Sequence, residues 1–209
     1  MVSGMLKTRG FSRFLTFLAV PLVVAFLCGN APLLTRYDAP PAEAAVEGEA
    51  LSVQETLKIQ SSAFRRGAAI PDLYTCEGSN ISPPLAWEGV PEGARSLALV
   101  VDDPDAPMGV FIHWVLYNLP GDSRALEPGV MPTKTLKDGA LQGMNDFHDP
   151  GYGGPCPPRG NGPHRYYFRL YALDVPLSLP PGVSRAVVDK MMKGHILGEA
   201  ALMGRFERP

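Results

Sequence analysis

Two aspartates and two histidines are the side chains of this sequence best suited to chemistry. Asp103 and Asp105 stand in an acidic turn, Asp102-Asp103-Pro104-Asp105-Ala106-Pro107; His113 lies in the apolar stretch that follows, and His164 opens an aromatic one. Pro104 and Pro107 lack backbone donors and fix φ, so the turn holds its carboxylates without a supporting helix. A carboxylate raises the pKa of a neighbouring imidazole, and a charged His113 or His164 beside Asp103 would bind a small anion of the phosphate type. Each group also has a structural reading. Acidic, proline-containing turns are commonly solvated loops, His113 between Ile112 and Trp114 suits a hydrogen-bonded core position, and Tyr166 and Phe168 share one strand face as core aromatics do. Only the set, in one chain, points to a pocket.

Other chemistries find less support. His113 and His164 are about 50 residues apart, and without a His-x-x-x-His or His-x-His pair no metal site is expected. There is no Gly-x-Ser-x-Gly elbow for a serine hydrolase. The run Gly151-Tyr152-Gly153-Gly154 resembles a phosphate-cradling loop in composition only, because the Lys-Ser/Thr ending of a nucleotide loop is missing. No cofactor is implied. A phosphoester hydrolase using the same His/Asp cluster remains the enzymatic alternative. A net charge of −2, from 19 basic and 21 acidic residues without a long basic run, argues against nucleic acid as a partner.

The positioning elements read as mainly β. Among 209 residues there are 22 Gly and 22 Pro, and short apolar runs between Pro/Gly clusters predict strands over 97–101, 111–119, 165–174 and 200–206. One helix is expected over 185–192, capped by Ser184 and ended by Gly194. The long loop 146–163 should cover one end of the sheet, where a site would be built. Ahead of this single domain, 51–209, residues 1–30 read as a signal peptide or membrane anchor. Lys7, Arg9 and Arg13 precede an apolar run over 14–27, which as a helix reaches only ~21 Å against a ~30 Å hydrocarbon core. Residues 31–50 read as a linker. Export to the periplasm, or anchoring that faces it, is therefore expected, with membrane contact through the N-terminal segment if it is not cleaved.

Of three cysteines, Cys28 follows the apolar run, where Phe26 and Leu27 are bulkier than lipidation usually accepts. Cys76 and Cys156 remain. In an oxidising compartment they allow one disulfide, closing a loop of about 80 residues for roughly 4 kcal/mol; two free buried thiols are the alternative.

Taken together, YTCEGSNISPPLAW at 74–87, DPDAP at 103–107, His113-Trp114, PGYGGPCPP at 150–158 and PHRY at 163–166 resemble the phosphatidylethanolamine-binding protein family. They are closest to its bacterial, Raf kinase inhibitor-like branch. The resemblance covers about 57–206 and implies a large antiparallel sheet packed on a smaller one, with few short helices and a small anion pocket at one end. It implies Asp103, Asp105, His113, Pro158, His164 and Tyr166 as pocket residues, and phosphate-bearing head groups such as phosphoethanolamine as ligands. In some members it also implies kinases or proteases that are inhibited; no accepted catalytic activity comes with it. The stretch 108–112 departs from the pattern, being shorter than in eukaryotic members and lacking the tryptophan common just before the histidine. The expected protein is thus a non-enzymatic anion binder in which Asp103 orients and charges the histidines while Asp105 fixes the turn or meets a ligand amine. The alternative is an inhibitor that docks a partner enzyme.

Overall fold

The computed structural model describes residues 56–208; the expected export segment and linker lie outside them. The larger sheet has five antiparallel strands, in the order β6 (Leu141–Gln142), β4 (Phe111–Pro120), β3 (Ser96–Asp103), β7 (His164–Leu173), β8 (Ile196–Phe206). The smaller has three, β1 (Lys58–Gln60), β2 (Leu85–Glu88) and β5 (Ala125–Leu126), with β2 in the middle. This is the mainly β, two-sheet architecture expected.

The strand β3 explains the layering. All eight of its residues are buried, as a central strand covered on both faces requires. Leu97, Leu99 and Val101 face the smaller sheet, where they meet Ile59, Leu85, Trp87, Trp114, Phe168 and Leu202 in the main core. Ala98 faces the other way, into a second cluster with Val115, Tyr117, Val188 and Met192. Each such large apolar side chain contributes about 1.5–3 kcal/mol by leaving water.

The second cluster is closed by α1 (Arg185–Met192), whose Val188 and Met192, one turn apart, are its buried residues. Ser184 stands at the N-cap position in extended backbone, but its side chain makes no cap hydrogen bond, which corrects the expected cap. Gly194, at φ 87°, follows the helix end in the left-handed conformation that glycine adopts without cost. The helix is instead tied down by charge: Arg185 pairs with Asp189 one turn on, at 3.0 Å, and with Asp102 of β3 at 3.3 Å.

Candidate anion pocket

Alternation along two neighbouring strands brings the first pocket residues together. In β3, Asp102 and Asp103 point to opposite faces. Asp102 pairs with Arg169 of β7 at 2.6 Å and with Arg185 on the helix side, whereas Asp103 continues the face of Leu97, Leu99 and Val101. The register sets Asp102 against Tyr167 of β7, so His164, Tyr166 and Phe168 share the face of Asp103.

His113 reaches that face by a different device. Strand β3 pairs Val101 with Trp114 but Asp102 with Ile112, which leaves His113 as the extra residue of a β-bulge. Strict alternation would turn it with Val115 and Tyr117 toward the helix; the bulge re-aims it into the pocket, the use bulges commonly have beside functional sites.

Asp103, 3% exposed, spends both carboxylate oxygens. Its Oδ1 accepts the N–H of Asp105 at 2.8 Å, fixing the turn, and its Oδ2 accepts from Nδ1 of His164 at 2.7 Å. His113 is held in the same manner, Nδ1 donating to the Gly153 carbonyl at 2.7 Å while the Gly153 N–H donates to the His113 carbonyl at 2.9 Å. In both rings Nδ1 is committed to the protein and Nε2 is the nitrogen left for a ligand; in His164 it has only a long contact, 3.4 Å, from Asn161. Beside them the Tyr166 hydroxyl is fully buried and makes no hydrogen bond of acceptable geometry. Burial, and next the Asp103 carboxylate, raise its pKa far above the ordinary phenol value, so it remains a donor.

The opposite wall is the loop 145–158. Buried Asn145 organises it, accepting the N–H groups of Phe147 and Asp149 and donating to the Gly151 carbonyl. Asp146 ties it to β4, its carboxylate accepting from the Ile112 N–H at 2.7 Å. Gly153 and Gly154 are needed for close approach: a Cβ at Gly153 would sit 2.4 Å from the Phe147 ring, and one at Gly154 2.4 Å from the Tyr74 carbonyl oxygen. The glycine run therefore serves packing. Downstream, the Cys76 N–H donates to the Pro155 carbonyl and Cys76 and Cys156 form the disulfide, with Cα atoms 5.4 Å apart. The bond anchors the segment that leads into Pro157 and Pro158.

The result is a pocket of about 600 Å³ whose lining includes Asp103, His113, Pro158, His164 and Tyr166. Of the six residues the resemblance implies, five thus meet at one mouth. Asp105 does not line it. Its carboxylate is taken up by the Arg165 side chain, at 2.6 and 2.8 Å, and by the Arg165 N–H, which ties the turn to the start of β7. Sequence reasoning missed Phe111, Asp146, Phe147 and His148, which also line the pocket. His148, at φ 69°, gives no sign in sequence of that conformation.

The charge expected on His113 is also corrected. Burial lowers its pKa below the ordinary 6.5, outweighing the Gly153 carbonyl and the Asp103 carboxylate that act in the opposite sense. The consequence for stability has a definite sign. The unfolded chain takes up a proton at His113 more readily than the folded one, so this contribution is complete above pH 6.5 and is lost as pH falls through the lowered value. Urea midpoints should therefore drop between pH 7.5 and pH 5, and His113→Gln should reduce that drop. Asp105, held at about 2 chiefly by its hydrogen bonds from Arg165, acts in the same sense only below the ordinary carboxylate range, which separates the two windows.

Comparisons with known proteins converge on one family. The family model described as phosphatidylethanolamine-binding protein matches residues 60–207. A UPF0098 protein of Methanothermobacter thermautotrophicus is 53% identical over 152 residues, 73% of this chain and 99% of that protein. One from Aquifex aeolicus is 49% identical over 153 residues, 73% of this chain and 89% of that protein. Among solved structures, the phosphatidylethanolamine-binding protein homolog CT736 from Chlamydia trachomatis is similar with a TM-score of 0.68 at 42% identity, over 74% of this chain and 99% of that one. YbcL of E. coli also gives 0.68, at 34% identity over 73% and 99%. The relatives come from archaea as well as bacteria, so the likeness is wider than the bacterial branch.

Proposed function

Because the chain belongs to the phosphatidylethanolamine-binding protein family, we propose that its pocket is a receptor for a phosphate-like anion, and that the protein binds rather than transforms its ligand. The observation that carries this reading is the Tyr166 hydroxyl. It is buried with no hydrogen bond of good geometry, the Asp103 carboxylate being its near neighbour, and its residue lines the same pocket as His113 and His164, each with Nδ1 already engaged. An oxyanion among the three accepts from the phenol and, once Nε2 is protonated, from each imidazole. Burial lowers the pKa of His113, and a bound anion acts in the opposite sense, so binding takes up protons and tightens as pH falls.

Export is part of the same proposal. The Cys76–Cys156 disulfide supports an oxidising compartment, in keeping with the signal or anchor read over 1–30.

Calorimetry with sulfate, whose charge is constant over this range, tests the pocket. Affinity should be several-fold higher at pH 6 than at pH 8. Tyr166→Phe, which removes only the hydroxyl, should weaken binding about tenfold at either pH. Unchanged affinity in that variant, or a flat pH profile, overturns the reading.

A further inference from the structure

We propose that the opposite face of the larger sheet carries a second site, for a small α-amino acid in its zwitterionic form. The carboxylate of that ligand meets Arg169 and the Tyr171 hydroxyl, and its ammonium group meets Glu199. The site is separate from the anion pocket and does not depend on it.

Strand register builds the site. Asp102 and Asp103 point to opposite faces of β3, and Arg169 and Tyr171 of β7 share the face of Asp102, so they look away from His113 and His164. Across the pairing with β8, Tyr171 stands opposite Glu199 and Arg169 opposite Ala201. Two long side chains beside an alanine leave a gap. It is a cavity of about 170 Å³ lined by Arg169, Tyr171, Glu199, Ala200 and Ala201. At ~30 Å³ per water it holds roughly five or six waters, the bulk of an amino acid with a short side chain.

The polar groups of this cavity are fixed but not spent. Arg169 donates from Nε and Nη2 to Asp102, at 2.6 and 3.3 Å, and its guanidinium carbon lies 4.6 Å from the centre of the Tyr167 ring. Its Nη1 makes no hydrogen bond among the described residues, on a side chain 33% exposed. Nor does Asp102 neutralise it fully, being shared with Arg185. The exposed Glu199 carboxylate has no ion pair among the described residues. Tyr171 is half-buried and its hydroxyl makes no hydrogen bond among them. Burial raises its pKa, so it stays a donor, and Arg185, Arg169, Asp189 and Glu199 all lie near enough to act on it.

Charge selects a zwitterion over a simple ion. Arg66, whose guanidinium donates to the Ala201 carbonyl, joins Arg169 and Arg185 against Asp102, Asp189 and Glu199. Positive and negative groups balance. A lone anion is repelled by Glu199 and a lone cation by Arg169, whereas a molecule carrying both charges makes a charge-assisted hydrogen bond at each end.

NMR titration of the full chain with L-alanine tests this. The amides of 169–171 and 199–201 should shift, and those of His113 and His164 should not. N-acetylalanine, which lacks the ammonium charge, and alanine methyl ester, which lacks the carboxylate, should each bind about tenfold more weakly. Glu199→Gln and Tyr171→Phe should each weaken L-alanine about fivefold and leave sulfate affinity unchanged; melting temperatures confirm that both variants are folded. Displacement of L-alanine by sulfate, or shifts at His113 and His164, would seat it in the anion pocket and overturn this inference while leaving the proposed function intact. A methyl ester as good as L-alanine marks a cation site, and an N-acetyl derivative as good marks an anion site; either result overturns the zwitterion. Absence of L-alanine binding overturns it whatever sulfate does.

Discussion

Asp103→Ala is expected to lower folding stability by about 3 kcal/mol and to abolish measurable anion binding. The residue is buried and its two oxygens hold different structures, the Asp105 N–H that closes the acidic turn and the Nδ1 of His164. Removing it strands a buried imidazole, and breaking one side of such a pair costs far more than the pair itself contributes. It also frees the His164 ring to rotate, so that Nε2 no longer faces a fixed point. The neighbouring pair behaves differently. Arg165 and Asp105 are 47% and 27% exposed, and Asp105→Ala should cost under about 1 kcal/mol. Chemical denaturation compares them directly. For a domain of this size the Asp103 loss corresponds to a fall in Tm of roughly 6–12 °C, and a loss no larger than that of Asp105→Ala would remove Asp103 from its central place.

The second large effect concerns the disulfide. Cys76 and Cys156 are 80 residues apart, and opening a loop of that length releases about 4 kcal/mol of unfolded-state entropy by the chain-closure argument. A Cys76→Ala/Cys156→Ala double variant should therefore melt roughly 8–16 °C lower, and reductant should lower the native protein's Tm equally while leaving the variant's unchanged. Cys156 itself lines the pocket, and its segment carries Pro157 and Pro158, so the variant should also bind sulfate more weakly at temperatures where it is still folded. A shift below about 2 °C would mean that the hydrogen bonds from Cys76 to Pro155, Tyr152 to Tyr74 and Gly154 to Asn80 already close the loop.

The four long strands and the helix were legible in sequence because each is a long apolar run or a capped periodic segment, and β3, β4, β7, β8 and α1 follow those predictions to within a few residues. The smaller sheet was not. Its strands span two to four residues, too short for any period to emerge, and they exist because Ile59, Leu85 and Trp87 have a larger sheet to pack on. In the pocket, Asp103, His164 and Tyr166 follow from simple alternation. His113 does not, since its inward aim depends on a bulge that no pattern of residue types announces. Nor do Phe147 and His148, which are presented by a loop whose shape depends on one buried asparagine. The charge expected on His113 failed for a related reason: adjacency to carboxylates is visible in a sequence, whereas desolvation is a property of the packed fold.

The extra residue in β4 separates two things that evolution can then alter independently. Trp114 is anchored in the core, its Nε1 donating to Gln142 at 2.7 Å, and it fixes the imidazole beside it from the inner side. The hairpin tip over 108–110 contributes hydrocarbon to the mouth, whereas Phe111, the first residue of β4, packs against the imidazole with ring centroids 5.1 Å apart. Insertions or deletions at the tip would therefore reshape the outer mouth while leaving His113 held by its bulge, by Phe111 and by the Gly153 carbonyl.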